Sequence, residues 1–515
     1  MTALLYRNHN VRRLYLSILV GSASLVACVA TFVLPREAQR GMTLILVILS
    51  VLFVFLWCWP VTGRNRSNIT DFFHPSFLFV GFYIVYFVFS GVLISFFHDY
   101  RSNWVHLGPN PVFTVNTVYI FGILSVAAFG LGLRAKVLFP GEKFKAALYR
   151  PDLLRKKESK YVIALLLLIG GAVTIYHLSL LGPVSFDIFR YLSPSAQREL
   201  EIGWNNVLTM LESMLEWGAL FALFIFFLSR RSIRLGYERD KFYILIVLFL
   251  VIGALVYTIT GKRSSVIPLL LLPLIWRHYL IKRIKFYYMI IYSSLFIAVI
   301  ALLLMVRIIV PLVAQDIDIG NSIGGSFREI TEFYIDSGEL STFDMVVASF
   351  LQRESLLTAM GGAFRAFIKY NIETIFLTFV PPGIWANKPI YEDPGHIFFQ
   401  NLSGSKDNIG FAVTVWGTSF LFLHVLGVLF GMFILGWVFR GMYQLLRPWE
   451  GKPFDVFFYA IFYWTAFQFL RFGTLGFTFI YFVTSMLIGV MAALFLARNK
   501  YVWKMKYWQT VKVNR

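Results

Sequence analysis

Four basic side chains stand where an apolar sequence rarely tolerates a charge. Lys262 and Arg263 lie within Gly261-Lys262-Arg263-Ser264-Ser265, Arg307 ends an apolar run, and Arg471 sits in a short link between two more. Arginine offers a planar fork that matches phosphate oxygens, keeps its charge at any working pH and sheds water more readily than an ammonium. Cations at a membrane boundary with no carboxylate nearby are costly unless an anion meets them, and a lipid phosphate or pyrophosphate is the anion that fits. Taken singly, each also reads as a side chain snorkelling to lipid headgroups or pairing with a loop carboxylate.

The other reactive residue types are sparser. Glu212 and Glu216 are four apart on an apolar run, so both face one side of a helix, where they either pair with the arginines or hold a base. His396 is positioned to take a proton from a hydroxyl, or is a plain loop residue. Asp316-Ile317-Asp318 has the spacing with which many glycosyltransferases hold a metal, but a lone match is weak. No zinc spacing, nucleotide loop, dinucleotide fingerprint or G-x-S-x-G elbow occurs, and no metal or cofactor is expected.

These residues need elements to hold them, and composition sets the class. Of 515 residues, 58% are apolar, 18% aromatic and only 14% charged. Apolar windows of about 20 residues recur throughout, which predicts an all-α polytopic membrane protein and excludes a soluble enzyme. Twelve spans are expected, near 14–34, 41–60, 75–97, 112–133, 160–182, 206–228, 241–260, 265–281, 286–306, 412–438, 454–471 and 475–497. The eighth is short and carries Pro268 and Pro273. Cys28 and Cys58 lie inside apolar runs, so neither a disulfide framework nor a thiolate metal site is expected. Leu25-Val26-Ala27-Cys28 matches a lipoprotein cleavage box, and in a polytopic chain an uncleaved first span is the better reading.

Charge orients the spans. With the N-terminus inside, 32 of the 47 basic residues but only 8 of the 27 acidic ones fall on the inner side. That bias places both termini in the cytoplasm. It also accounts for the net charge of +20 without nucleic acid, because the excess faces the anionic inner leaflet. The organisation expected is spans one to nine over 1–310, a large outer loop over 311–411, spans ten to twelve over 412–497 and a basic tail over 498–515. A loop of that length points to chemistry on the outer face. Within it, 327–353 mixes apolar and acidic residues at helical spacing, 360–379 is apolar enough to lie on or dip into the membrane, and Pro381-Pro382-Gly383 then stops the helix.

Thr260-Gly261-Lys262-Arg263-Ser264-Ser265-Val266-Ile267 before an apolar run is followed by Phe379-Val380-Pro381, Trp385 and Lys388-Pro389. Then comes Gly410-Phe411-Ala412-Val413-Thr414-Val415-Trp416-Gly417, continuing through Gly427 and Gly431. In this order the motifs resemble the oligosaccharide repeat-unit polymerases, the Wzy class, over roughly 240–497. The resemblance implies a GT-C-like membrane glycosyltransferase of the bacterial inner membrane. It would move a growing glycan from undecaprenyl pyrophosphate onto an incoming lipid-linked repeat unit, making O-antigen, capsule or exopolysaccharide. It also implies a flippase and a chain-length regulator as pathway partners. Arg263, Arg307 and Arg471 carry over; Lys262, Trp385 and Lys388 are read beside them as candidate substrate contacts. Glu212, Glu216 and His396 match no family position, so the base stays open. An O-antigen ligase would share this architecture, a lipid-linked oligosaccharide flippase should show pseudo-symmetric halves, and a non-catalytic assembly factor would not need the arginines.

Overall fold

A computed structural model describes residues 2–58, 71–100, 105–136, 164–173, 175–176, 214–224, 226–227, 263–285, 287–289, 291–292, 294, 342–379, 394–403, 412–476, 478–479 and 482. Among these the only regular structure is helical, and five helices are long and apolar enough to cross a membrane. Lys262, Glu212, Arg307, Asp316, Asp318, Trp385 and Lys388 lie outside the described residues.

Helices α1 (Thr2–Val33), α2 (Arg36–Cys58), α3 (Pro75–Phe97) and α4 (Pro111–Arg134) come first. Pro75 and Pro111 start their helices where a missing N–H does no harm, and His74 and Asn110 cap them. In α3 the turns Tyr83–Phe89 and Leu93–Phe97 are π-helical. Two short apolar helices follow, α5 (Ala164–Val173) and α6 (Met214–Phe224). Helix α7 (Arg263–Trp276) contains Pro268 and Pro273 and runs into a π-turn at Arg277–Ile281.

Beyond the undescribed stretch come α8 (Thr342–Leu351), α9 (Arg353–Ala359), α10 (363–379, π-helical at Lys369–Glu373) and α11 (Pro394–Ser403). The acidic and apolar mixture in 327–353 does not make α8 a surface element. Thr342 through Ser349 are all buried. The Phe343 ring meets Phe87 and Tyr119, its amide donates to Ser90, and Thr342 donates to the Tyr86 carbonyl. Helix α8 is thus packed within the bundle, against α3 and α4.

The span expected at 412–438 is broken. Helical residues run from Thr414 to Leu446, but His424 adopts φ 60° and ψ −148°. A side chain carbon on Gly427 would fall 2.1 Å from the Ser419 carbonyl oxygen, and one on Gly431 3.1 Å from the Ser419 hydroxyl. In a continuous helix those residues are about 12 Å and 18 Å apart along the axis, so the chain folds back at His424. The result is a half-helix, α12a (414–423), hairpinned onto a full helix, α12b (425–446). Helix α13 (Pro453–Phe472) completes the described bundle.

Small residues let these helices touch backbone to backbone. Side chain carbons on Gly132 and Gly436 would sit 2.0 Å and 2.1 Å from the carbonyls of Phe433 and Phe129, so α4 and α12b cross in direct contact. Trp416 of the half-helix lies among Phe79, Phe82, Tyr83 and Phe87, and its indole N–H donates to Ser125 at 2.9 Å.

Candidate functional site

The half-helix sets the geometry. Trp416 near its start bonds Ser125 of α4, and Phe420 one turn on packs its ring, tilted, against Phe121 at 5.2 Å. It therefore runs antiparallel to α4. Ser125 lies about 21 Å from the Pro111 end of α4 and about 14 Å from the Arg134 end at 1.5 Å per residue, so α12a begins near mid-depth. Its first residue, Thr414, has φ 61°, a left-handed conformation that a β-branched residue rarely takes. At its other end the Arg353 guanidinium donates to the Leu421 carbonyl at 3.0 Å, which puts a cation on the negative pole of the helix. A ten-residue helix is thus held between two strained residues, a pattern concentrated at functional sites.

The link after α13 meets that start. Gly473 has φ +76° and closes α13 by donating to Phe469. A side chain carbon here would lie 2.3 Å from the Thr414 carbonyl and 2.4 Å from the Thr418 hydroxyl, so only glycine fits. Thr418 donates to the Gly473 carbonyl at 2.8 Å. On the other flank the π-turn of α10 approaches. The Leu475 amide donates to Asn371 Oδ1 at 3.0 Å, and a carbon on Gly476 would sit 2.3 Å from the Tyr370 carbonyl. Three segments, α12a, 473–476 and α10, join here with almost no side chain between them.

Arg471 is part-buried in the last turn of α13, at this junction, with its guanidinium 5.3 Å from the Phe472 ring. Arg263 is brought to the same level by register. Trp276 of α7 stacks on Phe457 of α13 at 6.0 Å, and the Arg277–Ile281 turn packs beside Pro448–Glu450 just before α13, so the helices run antiparallel. Thirteen residues back along α7 reach Arg263 and fourteen forward along α13 reach Arg471, a climb of about 20 Å in each case. The expected pair of arginines therefore shares one level of the bundle. Other expected residues are not brought in. Helix α11, which carries His396, packs against α9, beside the far end of the half-helix. Glu216 is buried on α6, next to Trp217, whose ring meets Phe457 at 6.4 Å.

A second polar cluster lies at the opposite end of α13. Asp71 accepts from the Tyr279 hydroxyl at 2.8 Å and from the Tyr443 hydroxyl, and the ring of His278 is 3.4 Å away. His278 Nδ1 accepts from the Ile284 amide, so the ring's proton resides on Nε2, aimed at Asp71. Tyr459 donates to the Phe73 carbonyl and His74 packs edge-on against Tyr443 at 4.3 Å. Burial alone would raise the Asp71 carboxyl, but the His278 and Tyr443 contacts and the His74 imidazole outweigh it and hold the group below its ordinary value. Burial lowers His74 to about 4, against the opposing pull of Asp71. The sequence reading missed this cluster, whose partners are up to 372 residues apart. The one local signal was a lone acid, Asp71, beside Arg64 and Arg66.

The described residues are helical, and their long apolar helices define a helical membrane protein. Comparison with known proteins goes no further: no family model, no curated protein and no solved structure matches this chain.

Proposed function

We propose that the chain is a membrane glycosyltransferase that polymerises oligosaccharide repeat units carried on undecaprenyl pyrophosphate into a surface polysaccharide. The observation that carries this reading is the sharing of one level by Arg263 and Arg471, beside a half-helix whose N-terminus ends within the bundle. Exposed N–H groups at a helix N-terminus and guanidinium forks both stabilise developing negative charge. A lipid pyrophosphate leaving with its electrons needs no proton, so such groups replace a general acid. The acceptor hydroxyl still needs a base: Glu216 and His396 are not brought to this level, Glu212 lies outside the described residues, and the base stays open. In the charge-based orientation the Phe472 end of α13 points toward the outer side, where both lipid-linked substrates would arrive and no nucleotide is required. An O-antigen ligase would use the same donor chemistry with a different acceptor.

The test is to give the purified protein a defined undecaprenyl-pyrophosphate oligosaccharide without added metal and to follow product length. A ladder is expected, absent with Arg263→Ala or Arg471→Ala and partly restored with Lys at either position. An unchanged ladder from both Ala variants would end the proposal. One observation favours a second reading: half-helices that stop at mid-depth also build the binding sites of transporters. A lipid-linked oligosaccharide flippase would move the substrate across a vesicle membrane without lengthening it.

A further inference from the structure

Three buried polar side chains near the junction have no hydrogen-bond partner. Thr414 and Thr474 flank the Gly473 contact, are 1% and 0% exposed, and neither hydroxyl is paired. Gln468 is 1% exposed, and both its amide nitrogen and its amide oxygen are unpaired. It stands one turn before Arg471, on the face of α13 that Phe457 turns toward α7, since eleven residues make about three turns. The same register sets it opposite Ser265. A buried group left unpaired is expensive, so this arrangement is maintained for a partner that arrives.

The chemistry of Gln468 narrows that partner. Its NH2 donates and its C=O only accepts. A phosphate oxyanion accepts only, so it would satisfy the nitrogen and repel the oxygen. A sugar hydroxyl both donates and accepts, as do the two threonines. We propose that Gln468, with Thr414 and Thr474, receives the saccharide bonded directly to the lipid phosphate, while the arginines one turn away take the phosphate itself. This inference rests on the function proposed above and makes Gln468 a residue that selects the glycan.

The experiment measures binding of two probes to the full-length protein: a polyprenyl diphosphate bearing its oligosaccharide, and the same lipid diphosphate without sugar. Gln468→Leu and Thr474→Val are each expected to weaken the first by about tenfold and leave the second within twofold. Thermal unfolding of the unliganded Gln468→Leu protein should be unchanged or higher, because an unpaired amide has been removed. If Gln468→Leu does not fold, Gln468→Met, of nearly equal length, takes its place. Equal weakening of both probes, or of neither, overturns the proposal. So does wild-type protein that binds the bare lipid diphosphate but gains nothing from the sugar. Wild-type protein that binds neither probe refutes the proposed function itself, which separates the two failures.

Discussion

At the Pro453 end of α13, Asp71 is enclosed by Tyr279, Tyr443 and His278, with His74 against Tyr443, and its oxygens are occupied. At the Phe472 end, Gln468, Thr414 and Thr474 are buried to the same degree, yet their side-chain polar atoms have no hydrogen-bond partner. One helix therefore carries a closed cluster and an open one, separated by most of its 20 residues. Both place polar groups out of water, which is tolerable only with partners. The closed cluster takes its partners from α3, α7 and α12b, so its energy goes into holding those elements together. In the binding proposed above, the open one leaves that energy for a ligand.

The comparison breaks if removing Asp71 harms chemistry more than folding. Asp71→Ala strands His278 and two tyrosines, and about 3–5 kcal/mol of stability should be lost in detergent unfolding, with the proposed activity, chain growth per folded molecule, within threefold of wild type. Arg471→Ala should show the converse, a fall in chain growth of about 100-fold to 1,000-fold with little change in unfolding. A variant of either residue that loses both properties equally would erase the distinction.

Titration sharpens it. The folded value of His74 lies below its ordinary one, so between pH 6.5 and about 4 the unfolded chain binds the extra proton and stability falls as pH falls. The loss over that window is on the order of 3 kcal/mol. Asp71, also depressed, keeps its contribution down to the ordinary carboxylate value and loses it only as pH falls from there toward its lower folded value. His74→Asn retains a capping side chain for the Ser76 amide and should flatten the upper window only, as read from unfolding against pH.

Gly473→Ala meets Thr414 and forces φ > 0 on a residue with a side chain. A cost of about 2 kcal/mol is expected, with chain growth falling more than at Gly41, where an added carbon meets nothing. The smallest effect, about 1 kcal/mol, should follow Arg353→Met, which uncaps the half-helix at Leu421.

The membrane class and the helices at Tyr15–Val33, Ala38–Cys58, Pro75–Phe97 and Pro111–Arg134 were legible because apolar runs of that length have one physical outcome. Arg263 and Arg471 stood out as charges in apolar surroundings, and their common level follows from the α7 and α13 register. The break at His424 was hidden, since no proline or glycine marks it and the apolar run continues through it. The helical spacing within 327–353 was legible, but the packing of Thr342–Leu351 inside the bundle was not, because it depends on partners far along the chain. Asp71 was hidden for the same reason: its tyrosines are 208 and 372 residues away.

The position of α8 and α12a has a bearing on biogenesis. The face of α4 that ends up under Phe343 and Trp416 is synthesised long before its cover, since Ser125 waits 291 residues for the indole that bonds it. Until then the seam lacks those two rings, although Tyr119 already donates to the Val88 carbonyl of α3 and Ser125 to Gly122 of its own helix. A nascent chain released before residue 342 would therefore insert its early helices yet keep an unfilled seam along α4, open to the quality-control proteases that survey membranes.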